Sequence, residues 1–81
     1  MIKIPKEILD KNIVIAIDKL GIKYYEEGNL EKAIECYKIA LEAAEEIKDG
    51  SLRAQILNRL GIAYGTSGKF DESIEYLKQR F

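Results

Sequence analysis

The sequence predicts an all-α chain, an α-solenoid of two stacked helix-turn-helix hairpins with four antiparallel helices. Three observations carry this expectation. Leu20-Gly21-Ile22-Lys23-Tyr24 recurs as Leu60-Gly61-Ile62-Ala63-Tyr64, and Gly28-Asn29-Leu30 as Gly68-Lys69-Phe70, every matched pair 40 residues apart. A fixed period of that size marks units that cannot bury an apolar face alone and stack on a neighbour. Apolar residues return at spacings of three and four through each segment, which is the helical period. Glycines stand where those segments should end, at Gly28, Gly50 and Gly68.

Helix one is expected over about residues 5–27, opening at Pro5, which suits a first helical position. Leu9, Ile13, Ala16, Ile17, Leu20 and Tyr24 form its buried stripe. Ile13-Val14-Ile15 favours a strand locally, but a strand would put Leu9, Ile13 and Ile17 on one face and Leu20 and Tyr24 on the other, so the helical period decides. Helix two should span about 30–48, with Leu30, Ala33, Ile34, Tyr37, Leu41 and Ala44 inward and Glu31 near its positive end. Asp49-Gly50 stops it. Helix three follows over about 51–67 with Ser51 as N-cap, burying Ile56, Leu57, Leu60, Ala63 and Tyr64. Helix four, about 70–81, has Asp71 and Glu72 at its positive end and directs Ile74 and Leu77 inward. Gly21 and Gly61 sit mid-helix, where Gly costs up to ~1 kcal/mol relative to Ala, so close approach of each hairpin's second helix is the expected compensation.

These residues resemble the tetratricopeptide repeat. In that family a large residue, then Leu-Gly, then Tyr three residues after the Gly mark the first helix, and a turn Gly, a small residue and an aromatic mark the second. Repeat one matches through Leu20, Gly21, Tyr24, Gly28, Ala33, Tyr37 and Ala40, with Ile17 where the family prefers Trp. Repeat two matches through Leu57, Leu60, Gly61, Tyr64, Gly68 and Phe70, then departs: Ser73 stands for the small Ala, Leu77 for the aromatic and Arg80 for a small residue. The family's Pro near the repeat end is absent, and the period exceeds the usual ~34 residues, so the second helix of repeat one should run about two turns long.

Composition narrows the function classes. A chain of 81 residues is expected to be one small domain, residues 1–81, burying only about 60–65% of its unfolded surface. With 47% apolar and 33% charged residues it suits neither disorder nor a membrane. A net charge of −1 supplies no basic field for nucleic acid. No apolar run approaches the ~20 residues of a membrane span, and the N-terminus lacks signal-peptide features. The single Cys36 cannot form an internal disulfide, so a cytoplasmic location is the expectation.

Chemistry is sparsely provided. Histidine, the commonest general base and metal ligand, is missing from the chain, and one cysteine makes no thiolate metal site. Glu42, Glu45 and Glu46 lie at helical spacing from Lys38 and Lys48 and read as a solvated face. Gly65-Thr66-Ser67-Gly68 closes a helix, whereas a phosphate cradle opens one. No catalysis and no cofactor or metal is expected.

The resemblance implies a site instead, because in tetratricopeptide arrays the first helices line a concave groove that takes an extended peptide or a partner helix. Carried over residue by residue, that groove comprises Ile15, Asp18, Lys19, Ile22, Tyr25 and Glu26 of repeat one with Gln55, Asn58, Arg59, Ile62, Gly65 and Thr66 of repeat two. All lie off the expected stripes and should face out. Asn58 can pair a peptide N–H and C=O, Lys19 and Arg59 can meet carboxylates, and Ile22 and Ile62 offer apolar contact. The second function class is self-assembly. Ile74, Leu77 and Phe81 are covered only by helix three and part of helix two, so a homo-oligomer is expected, with a closed dimer favoured.

Overall fold

The computed structural model describes Pro5 and residues 8–80, and within them the chain forms four α-helices and no strand: α1 (Lys11–Glu26), α2 (Leu30–Glu46), α3 (Gly50–Thr66) and α4 (Phe70–Gln79). Each helix packs on the next in chain order, α1 on α2, α2 on α3 and α3 on α4, as expected of two stacked hairpins.

Side chains of the preceding turn decide where three of the helices start. Asp10 caps α1, its Oδ1 accepting from the Ile13 N–H at 2.9 Å, so α1 opens at Lys11 and not near Pro5. Asn29 caps α2 through Lys32 N–H at 3.2 Å, and Asp49 caps α3 through Leu52 N–H at 3.0 Å. Ser51, the expected cap, lies inside α3. An Asp at the half-in position reaches the third N–H of the helix and satisfies one of its orphan donors.

The three turns share one geometry at a spacing of 20 residues. Gly28 and Gly68 both have φ +82° and Lys48 has φ +57°, all left-handed. After each, the next N–H closes onto a carbonyl five residues back: Asn29 to Tyr24 at 2.9 Å, Asp49 to Ala44 at 3.0 Å, Lys69 to Tyr64 at 2.9 Å. This is the left-handed termination that satisfies last-turn carbonyls. Helix two is therefore stopped by Lys48, while Gly50 is the first residue of α3.

The core lies between α2 and α3. Ala33, Ala40 and Ala44 of α2 and Ile56, Leu57, Leu60 and Ala63 of α3 are all 0% exposed, the small side chains of one helix admitting the large ones of the other. Every residue of the expected α3 stripe is buried. Helix α1 is rotated from expectation: it buries Val14, Asp18 and Gly21, while Ala16 is exposed and Leu20 is 46% exposed. Both mid-helix glycines are crossing points. A Cβ on Gly21 would lie 2.6 and 2.8 Å from ring carbons of Tyr37, and one on Gly61 would strike the branch of Leu77, with Cγ at 2.5 Å. The Ser73 hydroxyl donates to the Gly61 carbonyl at 2.6 Å, and Tyr76 stacks on Tyr64 with centroids 5.4 Å apart, so α4 is held along α3 by polar and aromatic contacts.

Candidate functional site: the face between the first helices

Gly21 also shapes the surface. With no Cβ on α1 in the way, Tyr37 of α2 passes beneath α1, and it joins Ile22, Tyr25 and Glu26 of α1 and Arg59 and Ile62 of α3 in lining a cavity of about 300 Å³. Five of these six residues were assigned to the groove from the sequence. Tyr37 was placed in the core, and it is 3% exposed; no sequence signal distinguishes a core tyrosine from one that also reaches a surface hollow.

Two contacts tie the cavity's walls together. Arg59 Nη1 donates to Asp18 Oδ2 at 2.6 Å, joining residues 41 apart in sequence. Tyr25 and Thr66 share a hydroxyl hydrogen bond of 2.9 Å over the same separation, and Thr66 donates to the Ile62 carbonyl at 2.9 Å. Both pairs run from α1 to α3 and so tie the two sides of the face to each other.

Asp18 requires a correction. It was expected to face out, but it is 5% exposed, and its Oδ1 is buried without a hydrogen-bond partner. The rotation of α1 that exposes Leu20 carries Asp18 inward, since the two lie two residues, or about 200°, apart around the helix. Burial raises its pKa from the ordinary value, opposed by the charge and hydrogen bond of Arg59. Burial is likewise the main reason that the Tyr37 hydroxyl is pushed up to about 12, with the Asp18 charge adding to it, so the phenol beside the cavity stays protonated at neutral pH.

The remaining groove positions divide. Lys19, Glu26, Gln55 and Thr66 are exposed, whereas Ile15, Ile22, Tyr25, Asn58, Arg59 and Gly65 are half-buried. Ile62, at 48%, is the most open apolar side chain of the cavity. Ile15, Lys19, Gln55 and Asn58 do not line the cavity. Asn58 turns to α4, where its Oδ1 accepts from Arg80 Nη1 at 2.6 Å. Of the residues expected to self-associate, Ile74 is 52% exposed although it was also expected to point inward, Leu77 is half-buried over Gly61, and Phe81 lies outside the described residues. The carboxylates Glu42, Glu45 and Glu46 are exposed; among the described residues no group of three or more potential ligands could hold a metal ion, and no helix is long and apolar enough to cross a membrane.

A family model described as tetratricopeptide repeat matches residues 13–81, which covers both hairpins. The chain belongs to the tetratricopeptide-repeat family. Neither a search of curated proteins nor a search of solved structures returned a match. Tetratricopeptide repeats generally mediate protein–protein interaction and are generally non-catalytic scaffolds. In this tetratricopeptide-repeat chain the cavity lies where first helices of adjacent repeats meet, on the face assigned to ligand from the family's pattern.

Proposed function

We propose that the chain is a non-catalytic interaction module that takes an extended peptide or a partner helix on the α1–α3 face. One observation carries this reading: the cavity combines open apolar contacts at Ile22 and Ile62 with polar groups already fixed in place at Arg59 and Tyr25. Held at one Nη by Asp18, the Arg59 guanidinium keeps further N–H donors for ligand carbonyls or carboxylates, and a donor fixed before binding loses less entropy when the ligand arrives. Ile22 and Ile62 occupy equivalent repeat positions, so alternate side chains of an extended ligand would find two similar apolar contacts.

The test is panning of the full chain against a displayed peptide library, followed by calorimetric titration of the selected peptides against wild type and Ile62→Asp. Ile62 is about half exposed, so its replacement should leave stability within about 0.5 kcal/mol. Selected peptides should lose at least about tenfold in affinity, since a charge would be buried against an apolar ligand group. Peptides that bind both forms equally would place the site elsewhere and end this proposal.

A further inference from the structure

Among the described residues the outer edge of α4 is the most open apolar stripe. Phe70 and Ile74 lie one turn apart and are 66% and 52% exposed, and half-buried Leu77 extends the stripe by another turn. The helix is also polarised in charge: Asp71 and Glu72 fill its first turn and Lys78 its last. Among the described residues neither Asp71 nor Lys78 has an ion-pair partner within the chain.

We infer that this edge of α4 pairs with α4 of a second copy, antiparallel, about a two-fold axis passing beside Ile74. Helical residues advance about 100° and 1.5 Å each. Viewed from Ile74, Asp71 and Lys78 therefore lie to one side, roughly 60° and 40° round, and Phe70 and Leu77 lie to the other. A two-fold axis perpendicular to both helices keeps each residue on its side and inverts its height. Asp71 then faces the partner's Lys78, Phe70 faces the partner's Leu77, and Ile74 faces its own copy. The charge pair forms twice, once on each side of the axis along the helices, and the acidic start of each helix meets the basic end of the other, which also suits the helix dipoles.

Other pairings lose this match. A parallel two-fold pairing keeps each residue's height and swaps its side, so it sets Asp71 against the partner's Phe70 and Lys78 against the partner's Leu77, charge against apolar surface. A head-to-tail contact with α1 would meet Leu20 between exposed Lys19 and Lys23, which offers α4's Lys78 no opposite charge. Charge complementarity along a single exposed stripe thus selects the closed antiparallel dimer, in which each copy's α1–α3 face is left open to ligand.

The experiment is sedimentation equilibrium of the full chain over a hundredfold range of concentration, with helicity checked by circular dichroism for every variant. Wild type should move from monomer to dimer and no further. Ile74→Glu should stay monomeric at every concentration while remaining helical, because that side chain is half exposed in the monomer. Asp71→Lys and Lys78→Glu should each weaken dimerisation about tenfold, since each reversal turns two attractions into repulsions. The double variant, which restores opposite charges across the axis, should recover wild-type affinity within about threefold. A wild type that stays monomeric throughout, a mass that grows past the dimer, a dimer indifferent to Ile74→Glu, or a double charge variant no tighter than the singles would each overturn the inference.

Discussion

Replacing Arg59 with Ala should destabilise the chain, and the deficit should depend on pH in a way that identifies its cause. In the folded chain the Asp18 carboxylate is 5% exposed, its Oδ2 rests on Arg59 Nη1 at 2.6 Å, and its Oδ1 has no partner. Removing one member of a fully buried ion pair costs about 3–5 kcal/mol. The Arg59 side chain is 31% exposed, so water can enter the space it vacates, and a loss of about 1–3 kcal/mol is the better expectation. For a domain of this size, 2 kcal/mol lowers Tm by about 8–16 °C. The sign of the pH effect follows from Asp18. Burial raises its pKa above the ordinary 3.8, so the folded chain holds this proton more tightly than the unfolded chain does, and stability falls as pH rises between the two values. Arg59 opposes that rise. Without Arg59 the pKa climbs further, and the folded variant can escape its unpaired charge by taking up a proton. The deficit is therefore largest at neutral pH and shrinks as acid is added. Adding Asp18→Asn to Arg59→Ala should recover most of the loss at neutral pH and remove the pH dependence, because the orphaned group is then neutral. Urea unfolding followed by helical circular dichroism, from about pH 8 down to about pH 4, measures all three proteins. A deficit below about 0.5 kcal/mol, or one equal at every pH, would refute the reasoning.

Two further substitutions test the packing and the turns. Gly21→Ala should destabilise by about 1–3 kcal/mol although Ala is the better helix former by ~1 kcal/mol, because the new Cβ would lie 2.6 Å from the ring of the buried Tyr37 and 3.2 Å from Cys36 Cβ. Gly61→Ala should cost less, since the half-exposed Leu77 can turn aside; urea denaturation that ranks the two in the opposite order would show that Ser73, whose carbonyl is 3.3 Å from the new Cβ, is the stiffer obstacle. Lys48→Gly should stabilise by about 0.5–1 kcal/mol, because the residue sits at φ +57° where a Cβ is disfavoured by about 1–2 kcal/mol, offset in part by the larger unfolded entropy of Gly. A less stable variant in thermal melts would mean that the Lys48 side chain supports the turn.

Much of the architecture was legible because it is local. Helix α3 is covered by neighbours on two sides, so most of its large apolar residues must be buried and its stripe of Ile56, Leu57, Leu60, Ala63 and Tyr64 could be read directly. The close crossings at Gly21 and Gly61 were legible for a similar reason: a mid-helix glycine has a propensity cost that packing must offset. Helix α1 was harder. Ile13, Val14, Ile15, Ala16, Ile17, Leu20 and Ile22 spread around most of its circumference, so several stripes fit its sequence about equally well. The caps were misread because Pro5 and Ser51 are each compatible with a helix start, while Asp10 and Asp49, which perform the capping, stand nearby.

By itself the sequence determined that there would be two hairpins, where each would turn and which glycines would be crossed, because periodicity and backbone preference act within a few residues of one another. Only the tertiary structure decided which way α1 faces. Each residue turns a helix by about 100°, so the face presented to a neighbour depends on how that neighbour packs, and no local preference specifies it. Tyr37, fitted into the space over Gly21, sets that rotation by bringing α1 close along its Gly21 edge. Asp18 then turns inward to meet Arg59, Leu20 turns out to solvent, and Tyr25 comes within reach of Thr66. Each of these consequences joins or separates residues on different helices, and the candidate site is made of such relations.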